Sequence, residues 1–138
     1  MKITATLESL RKKSKEVTMD ATEFCAEFKD FVKEHSCMSL TAPQVGKNLS
    51  IMAVKYRQPT RVYILVNPSI VKQGKKLVES KERTLDIKQP VMLTKQRPTW
   101  VVMQYQTPNL KHNKRRVFLG RRAAAALHAY EILNGTLR

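Results

Sequence analysis

The chain has 138 residues, 42% of them hydrophobic: long enough for one core, and too apolar for a disordered polymer. No apolar run approaches the roughly 20 residues that cross a bilayer, and the opening MKITATLESLRKK lacks the apolar stretch of a secretory signal, so a membrane role is not expected. Lys and Arg number 26 against 11 acids, a net charge of +15, and such a field attracts polyanions.

A single domain over residues 1–138 is expected, with 1–17 a basic N-terminal segment in which Ile3, Leu7 and Leu10 share one face of a short helix. Thr18 or Asp20 then caps a firmer helix running to about His35. Phe24, Phe28, Phe31 and Val32 form its buried stripe, and acids lie near its start as the helix dipole favours. Strand signals follow at Leu49–Lys55 and Arg61–Val66, with Gln58-Pro59 as the turn between them and Asn67-Pro68 as the stop. Ile70–Lys72, Leu77–Glu79, Val91–Thr94 and Thr99–Gln104 read as further short strands. Residues 106–116 read as a hairpin turn into Val117–Leu119. Arg121–Leu133, with its run of four alanines, is a helix that Asn134-Gly135 ends. Helix, antiparallel strands, helix: an α+β domain.

Cys25 and Cys37 are the two cysteines, and without an export signal they are expected as thiols. The basic residues are unevenly spread. No acid occurs from Ile87 to Tyr130, while Lys88, Lys95, Arg97, Lys111, Lys114, Arg115, Arg116, Arg121 and Arg122 fall in that stretch. Lys111, Lys114, Arg115, Arg116, Arg121 and Arg122 are therefore the candidate nucleic-acid contacts. Tyr56, Tyr63, Trp100, Tyr105 and Tyr130 are candidates for base stacking, although their apolar strand surroundings favour the core for each.

Three collinear segments carry a resemblance. Cys37-Met38-Ser39-Leu40-Thr41-Ala42-Pro43-Gln44-Val45-Gly46 is similar to Gly-x-Gly-x-Ala-Ala-Pro-Gln-x-Gly. Glu82-Arg83-Thr84-Leu85-Asp86 is similar to Glu-Gly-Cys-Leu-Ser. His128-Ala129-Tyr130-Glu131-Ile132-Leu133-Asn134-Gly135 is similar to His-Glu-x-Asp-His-Leu-x-Gly. Together, over roughly residues 20–138, they resemble the motifs of peptide deformylases. The resemblance implies antiparallel sheets around the C-terminal helix. It also implies a metal held by two His at i and i+4 and a thiolate, a Glu that moves protons, and an oxyanion site.

Carried over position by position, the chemistry is missing. His128 stands for the first ligand, Ile132 for the second, Thr84 for the thiolate and Ala129 for the base. Gln44 and the Leu85 amide remain for the oxyanion, with no nucleophile to serve. No metal and no other cofactor is expected, and a metal relocated to His128, Glu131 and Cys37 is the lesser alternative. Cys37, Ser39 and Thr41 replace small family residues and are expected to narrow or fill the substrate cleft.

The expectation is an inactive relative of a hydrolase whose basic surface binds RNA, a ribosome or DNA, in a cytoplasm, a host cytoplasm or an organelle matrix. A viral or organellar source suits such a reshaped gene. The alternatives are a divergent active deformylase, which removes formyl from N-terminal Met, and a structural or regulatory subunit with a protein partner. The oligomeric state and the partner's identity are open at this level.

Overall fold

A computed structural model describes residues 1–57 and 60–137. Gln58-Pro59, expected as a turn, lies outside the described residues. The helices are α1 (Thr22–Glu34) and α2 (Arg121–Leu133). The strands are β1 (Ser39–Thr41), β2 (Ile51–Arg57), β3 (Thr60–Gln73), β4 (Leu77–Thr84), β5 (Val91–Pro98), β6 (Trp100–Gln106) and β7 (Asn113–Leu119). Short 3₁₀ turns cover Glu8–Leu10 and Ala42–Val45. The strands form an antiparallel sheet in the order β1-β2-β3-β6-β7 and a separate β4-β5 hairpin. The α+β expectation holds. No described helix is long and apolar enough to cross a membrane.

The stripe of α1 is narrower than its pattern. Phe28 and Val32 are fully buried, with Cys25 beside them, against Leu40, Ala53, Val62 and Val66, while Phe24 and Phe31 sit half-buried at the margins. Burying Phe28 and Val32 is worth roughly 1.5–3 kcal/mol each. The helix starts at Thr22, with neither Thr18 nor Asp20 in the capping position. The Asp20 carboxylate nevertheless accepts the Thr22 N–H at 2.8 Å, supplying the expected partner from one residue further out. At the other end Lys55 Nζ donates to the carbonyls of Val32, Lys33 and His35 at 3.2, 2.8 and 2.7 Å, a buried cation on the negative end of the dipole.

Asn67-Pro68 is no strand end. β3 runs through it, so the segment Ile70–Lys72 is part of the same strand and pairs with β6 after a register shift between Val66 and Ser69. Asn67 takes φ +50°, a left-handed conformation Asn tolerates, and Pro68 needs no ladder partner at a bulge. The Asn67 side chain binds both the N–H and the C=O of Val17, at 2.8 and 2.9 Å, and donates to Gln106 Oε1 at 2.7 Å. The bulge thus ties the N-terminal segment to the sheet. β7 also begins earlier than expected, at Asn113, because Thr107 N–H bonds His112 C=O and closes a tighter turn.

α2 is buried nearly all round, from Ala123 to Ala129 and again at Ile132 and Leu133. Its alanines let the sheet side chains Met52, Val54, Val101, Met103 and Phe118 approach closely. Its far side packs on the β4-β5 hairpin. This sandwiched position turns His128 and Glu131 toward the hairpin. The end of α2 is locked by Gly135 at φ +69°, where a Cβ would come within 2.7 Å of the Arg11 carbonyl oxygen.

Candidate functional site

Strand alternation aims Glu82 and Thr84 of β4 inward, toward α2, and both are buried. Arg97 on β5 is buried too, at 5% exposure, so a residue counted with the basic surface belongs to the interior. These side chains close into one chain of hydrogen bonds. Thr84 Oγ1 lies 2.7 Å from His128 Nε2, and His128 Nδ1 lies 2.7 Å from Glu82 Oε1. Arg97 grips Glu82 with two bonds, Nε to Oε2 at 2.9 Å and Nη2 to Oε1 at 2.8 Å. The same Nη2 makes an ion pair with Glu131 Oε1 at 2.8 Å.

The electrostatics follow from that arrangement. Burial pushes the Glu82 carboxyl up, but hydrogen bonds from His128, Arg97 and Ser80 outweigh it and hold the group at about 2. Burial acts against the Arg97 cation, and its bonds to Glu82 and Glu131 more than restore it. A carboxylate only accepts, so Nδ1–H of His128 donates to Glu82, and in that tautomer Nε2 accepts a hydrogen bond from the Thr84 hydroxyl.

This donor set does not fit the metal that the resemblance implies. The one imidazole nitrogen facing Thr84 is engaged by it. The Thr84 hydroxyl is neutral, and both Glu82 oxygens are taken by Arg97 and His128. Ile132, at the second ligand position, is 2% exposed among Ala5, Leu10 and Leu137, and Ala129 is fully buried. Among the described residues no three His, Cys, Asp or Glu side chains come together as a metal site. The alternative set separates: His128 binds Glu82, while Glu131 turns to Arg97.

Hydroxyl, imidazole and carboxylate in this order match the sequence of groups that activates a nucleophile in serine hydrolases. Burial decides against that use. Thr84 is 1% exposed and does not line the neighbouring cleft, so its oxygen cannot reach an acyl carbon.

That cleft, of about 510 Å³, lies beside His128 and is lined by Cys37, Ser39, Arg83, Leu85 and Arg121 among others. Cys37, Ser39 and Thr41 were expected to narrow or fill this cleft, and it is open and not filled. Cys37 and Ser39 form part of its wall, and Thr41 is buried, with its N–H and hydroxyl both donating to Gln44 Oε1 at 3.0 Å. Gln44 Nε2 donates to the Leu85 carbonyl at 3.0 Å, so the amide expected at an oxyanion site braces the loop after β4.

The six basic candidates do not form one patch. Lys114 and Arg116 share a face of β7, Arg115 lies on the other face with its Nε bonded to Gln104 Oε1 at 3.0 Å, and Arg121 points into the cleft. Lys111 sits in the turn close enough to Asp20 to help hold that carboxyl below its usual range, behind the larger effect of the bonds from Thr22. Arg116 and Arg122 come together over tyrosines: Arg116 lies 3.8 Å from the Tyr63 ring centre and Arg122 4.7 Å from that of Tyr56. The rings of Tyr56 and Tyr63 meet edge-on at 5.4 Å. Tyr105 is buried in the core, as its strand pattern suggests. Sequence reasoning missed the Glu82–Arg97 pair. Its one signal was an Arg in phase with Val91 and Leu93 on the inner side of a strand.

Compared with curated proteins, the chain matches none. Among solved structures it resembles a peptide deformylase from Plasmodium falciparum, at 26% identity and TM-score 0.84 over 99% of this chain and 83% of that one. A Synechococcus elongatus peptide deformylase, solved in complex with actinonin, gives 26% identity and TM-score 0.81 over 98% of this chain and 74% of that one. A probable peptide deformylase from Synechococcus phage S-SSM7 gives 25% identity and TM-score 0.78 over 99% and 96%. The polypeptide deformylase family model matches residues 3–138. With the fold, the three motif segments and that match in agreement, the chain belongs to the polypeptide deformylase family.

Proposed function

We propose that this family member does not remove formyl groups and instead works by binding a polyanion, RNA, ribosome or DNA, through its basic surface. One observation supports the loss of chemistry: at the positions of a thiolate and one imidazole stands a hydrogen-bonded chain, Thr84–His128–Glu82–Arg97, and at the second imidazole position Ile132 packs in an apolar cluster. Such a chain binds no hydrolytic metal and activates no water. The net charge of +15, with no acid between Ile87 and Tyr130, supports the binding role.

Two measurements test the proposal. Formyl-Met peptide hydrolysis, assayed with and without added divalent metal, stays at background. Binding to RNA, DNA and ribosomes is tight at low salt and falls steeply as salt rises. Turnover above background overturns the first half, and absent or salt-insensitive binding overturns the second. The open cleft beside His128 and Cys37 favours a second reading, a divergent active deformylase, which the same hydrolysis assay decides.

A further inference from the structure

Beyond the interior chain, a second group of side chains stands out among the described residues. Arg116 on β7 and Arg122 in the first turn of α2 stack on Tyr63 of β3 and Tyr56 of β2, at the margin of the main core. The two tyrosines touch each other, so the four side chains make one continuous cluster drawn from four elements. The Nε atoms of both arginines are buried and have no hydrogen-bond partner among the described residues. No salt bridge to a described acid is formed by either arginine, whereas Arg97 has two.

Buried guanidinium nitrogens without an acceptor are costly, of the order of 1–3 kcal/mol each. Burial acts against the Arg116 cation, and the tyrosines around it, with a hydrogen bond to Tyr105 first among them, hold it charged nonetheless. Local charge compounds the cost. Arg121 and Arg122 occupy the positive end of α2, whose first turn holds no acid and whose N-cap residue is Gly120, without a side-chain cap. Departures from local consistency of this kind gather at functional sites. A second anionic component answers the uncompensated charge of both guanidinium groups and of the α2 N-terminus.

Geometry selects the type of anion contact. A guanidinium stacked on a ring uses its face and keeps its in-plane N–H edge for a forked acceptor such as phosphate. The stacked faces of Tyr63 and Tyr56 are covered by the arginines, so base stacking on those faces is blocked. Lys114, exposed on the same face of β7 two residues from Arg116, continues the positive track by about 7 Å.

We propose that Arg116 and Arg122, preset on Tyr63 and Tyr56, anchor the phosphodiester backbone of a nucleic-acid strand, without reading its sequence. This rests on the polyanion reading above and narrows it to two residues and one ligand group.

The test uses the full chain and fluorescently labelled single strands of about 20 nucleotides, RNA and DNA, mixed-sequence and single-base. Binding is read by anisotropy between roughly 50 and 200 mM salt. Arg116→Gln/Arg122→Gln lowers the slope of log affinity against log salt by about 1.4, equally for all strands. Arg116→Lys/Arg122→Lys keeps the slope and loses affinity several-fold, because Lys neither stacks nor forks. Tyr56→Leu/Tyr63→Leu does the same. Lys75→Gln/Lys76→Gln, with the same charge removed from the turn after β3, leaves affinity within about twofold.

A Gln pair with unchanged slope, or a Lys75/Lys76 control with an equal loss, overturns the anchor and leaves polyanion binding standing. Equal wild-type affinity for polyglutamate overturns the choice of phosphate and points to an acidic protein. No binding of any strand at low salt overturns both proposals. RNA binding well above DNA binding, or the reverse, supports the anchor and identifies its source.

Discussion

Glu82→Gln is the most direct perturbation of the buried Thr84–His128–Glu82–Arg97 chain. Holding a carboxyl at about 2 against its ordinary 4.5 stabilises the folded state by about 3 kcal/mol at neutral pH. Gln preserves the shape and removes the charge that answers Arg97. Arg97 keeps Glu131 at 2.8 Å, which softens the loss, so the expected cost is about 2–3 kcal/mol in urea unfolding at pH 7. The sign with pH is fixed. A depressed carboxyl contributes fully above its unfolded value, and the contribution is lost as pH falls from about 4.5 through about 2. Wild type and Glu82→Gln therefore differ most near neutrality and converge toward pH 2. A difference below about 0.5 kcal/mol at pH 7, or one that persists undiminished at pH 2, would refute the picture of a stabilising ion-pair network.

Ile132→His alone returns an imidazole to the second ligand position but meets an apolar wall. It costs about 2 kcal/mol or more, and zinc gives no rise in Tm, because His128 Nε2 stays with Thr84; a zinc-dependent rise contradicts this. Asn67→Val forces a β-branched residue to φ +50° and orphans both Val17 groups. Chemical denaturation should show a loss of about 3 kcal/mol, and Asn67→Gly, free of the strain, a smaller one. Cys25 is buried, and burial pushes its thiol up to about 11, with Asp20 adding to the effect. Iodoacetamide at pH 8 leaves it unmodified by mass spectrometry until the protein unfolds.

Local patterns in the sequence sufficed for much of this protein. Hydrophobic periodicity located α1, because a helix face repeats every 3.6 residues whatever it packs against, and the alanine run closed by Asn134-Gly135 located α2. Collinear motifs gave the family, and the departures from the family pattern at Thr84, Ala129 and Ile132 were readable because they are differences of residue type alone. What failed were features set by partners distant in the chain. Asn67-Pro68 looked like a stop, yet Asn67 bridges to Val17 across 50 positions and the strand continues. Arg97 looked like surface charge, and only the packing of β5 on α2 shows it buried against Glu82 and Glu131. The glycine replacements at Cys37 and Ser39 suggested a narrowed or filled cleft, and that it stays open depends on backbone spacing between β1, β4 and α2. Residue type therefore settled which side chains stand at the three motif segments. Tertiary structure decided what those side chains touch, because a buried ion pair and an arginine on a tyrosine are made by side chains that strand pairing and helix packing bring together.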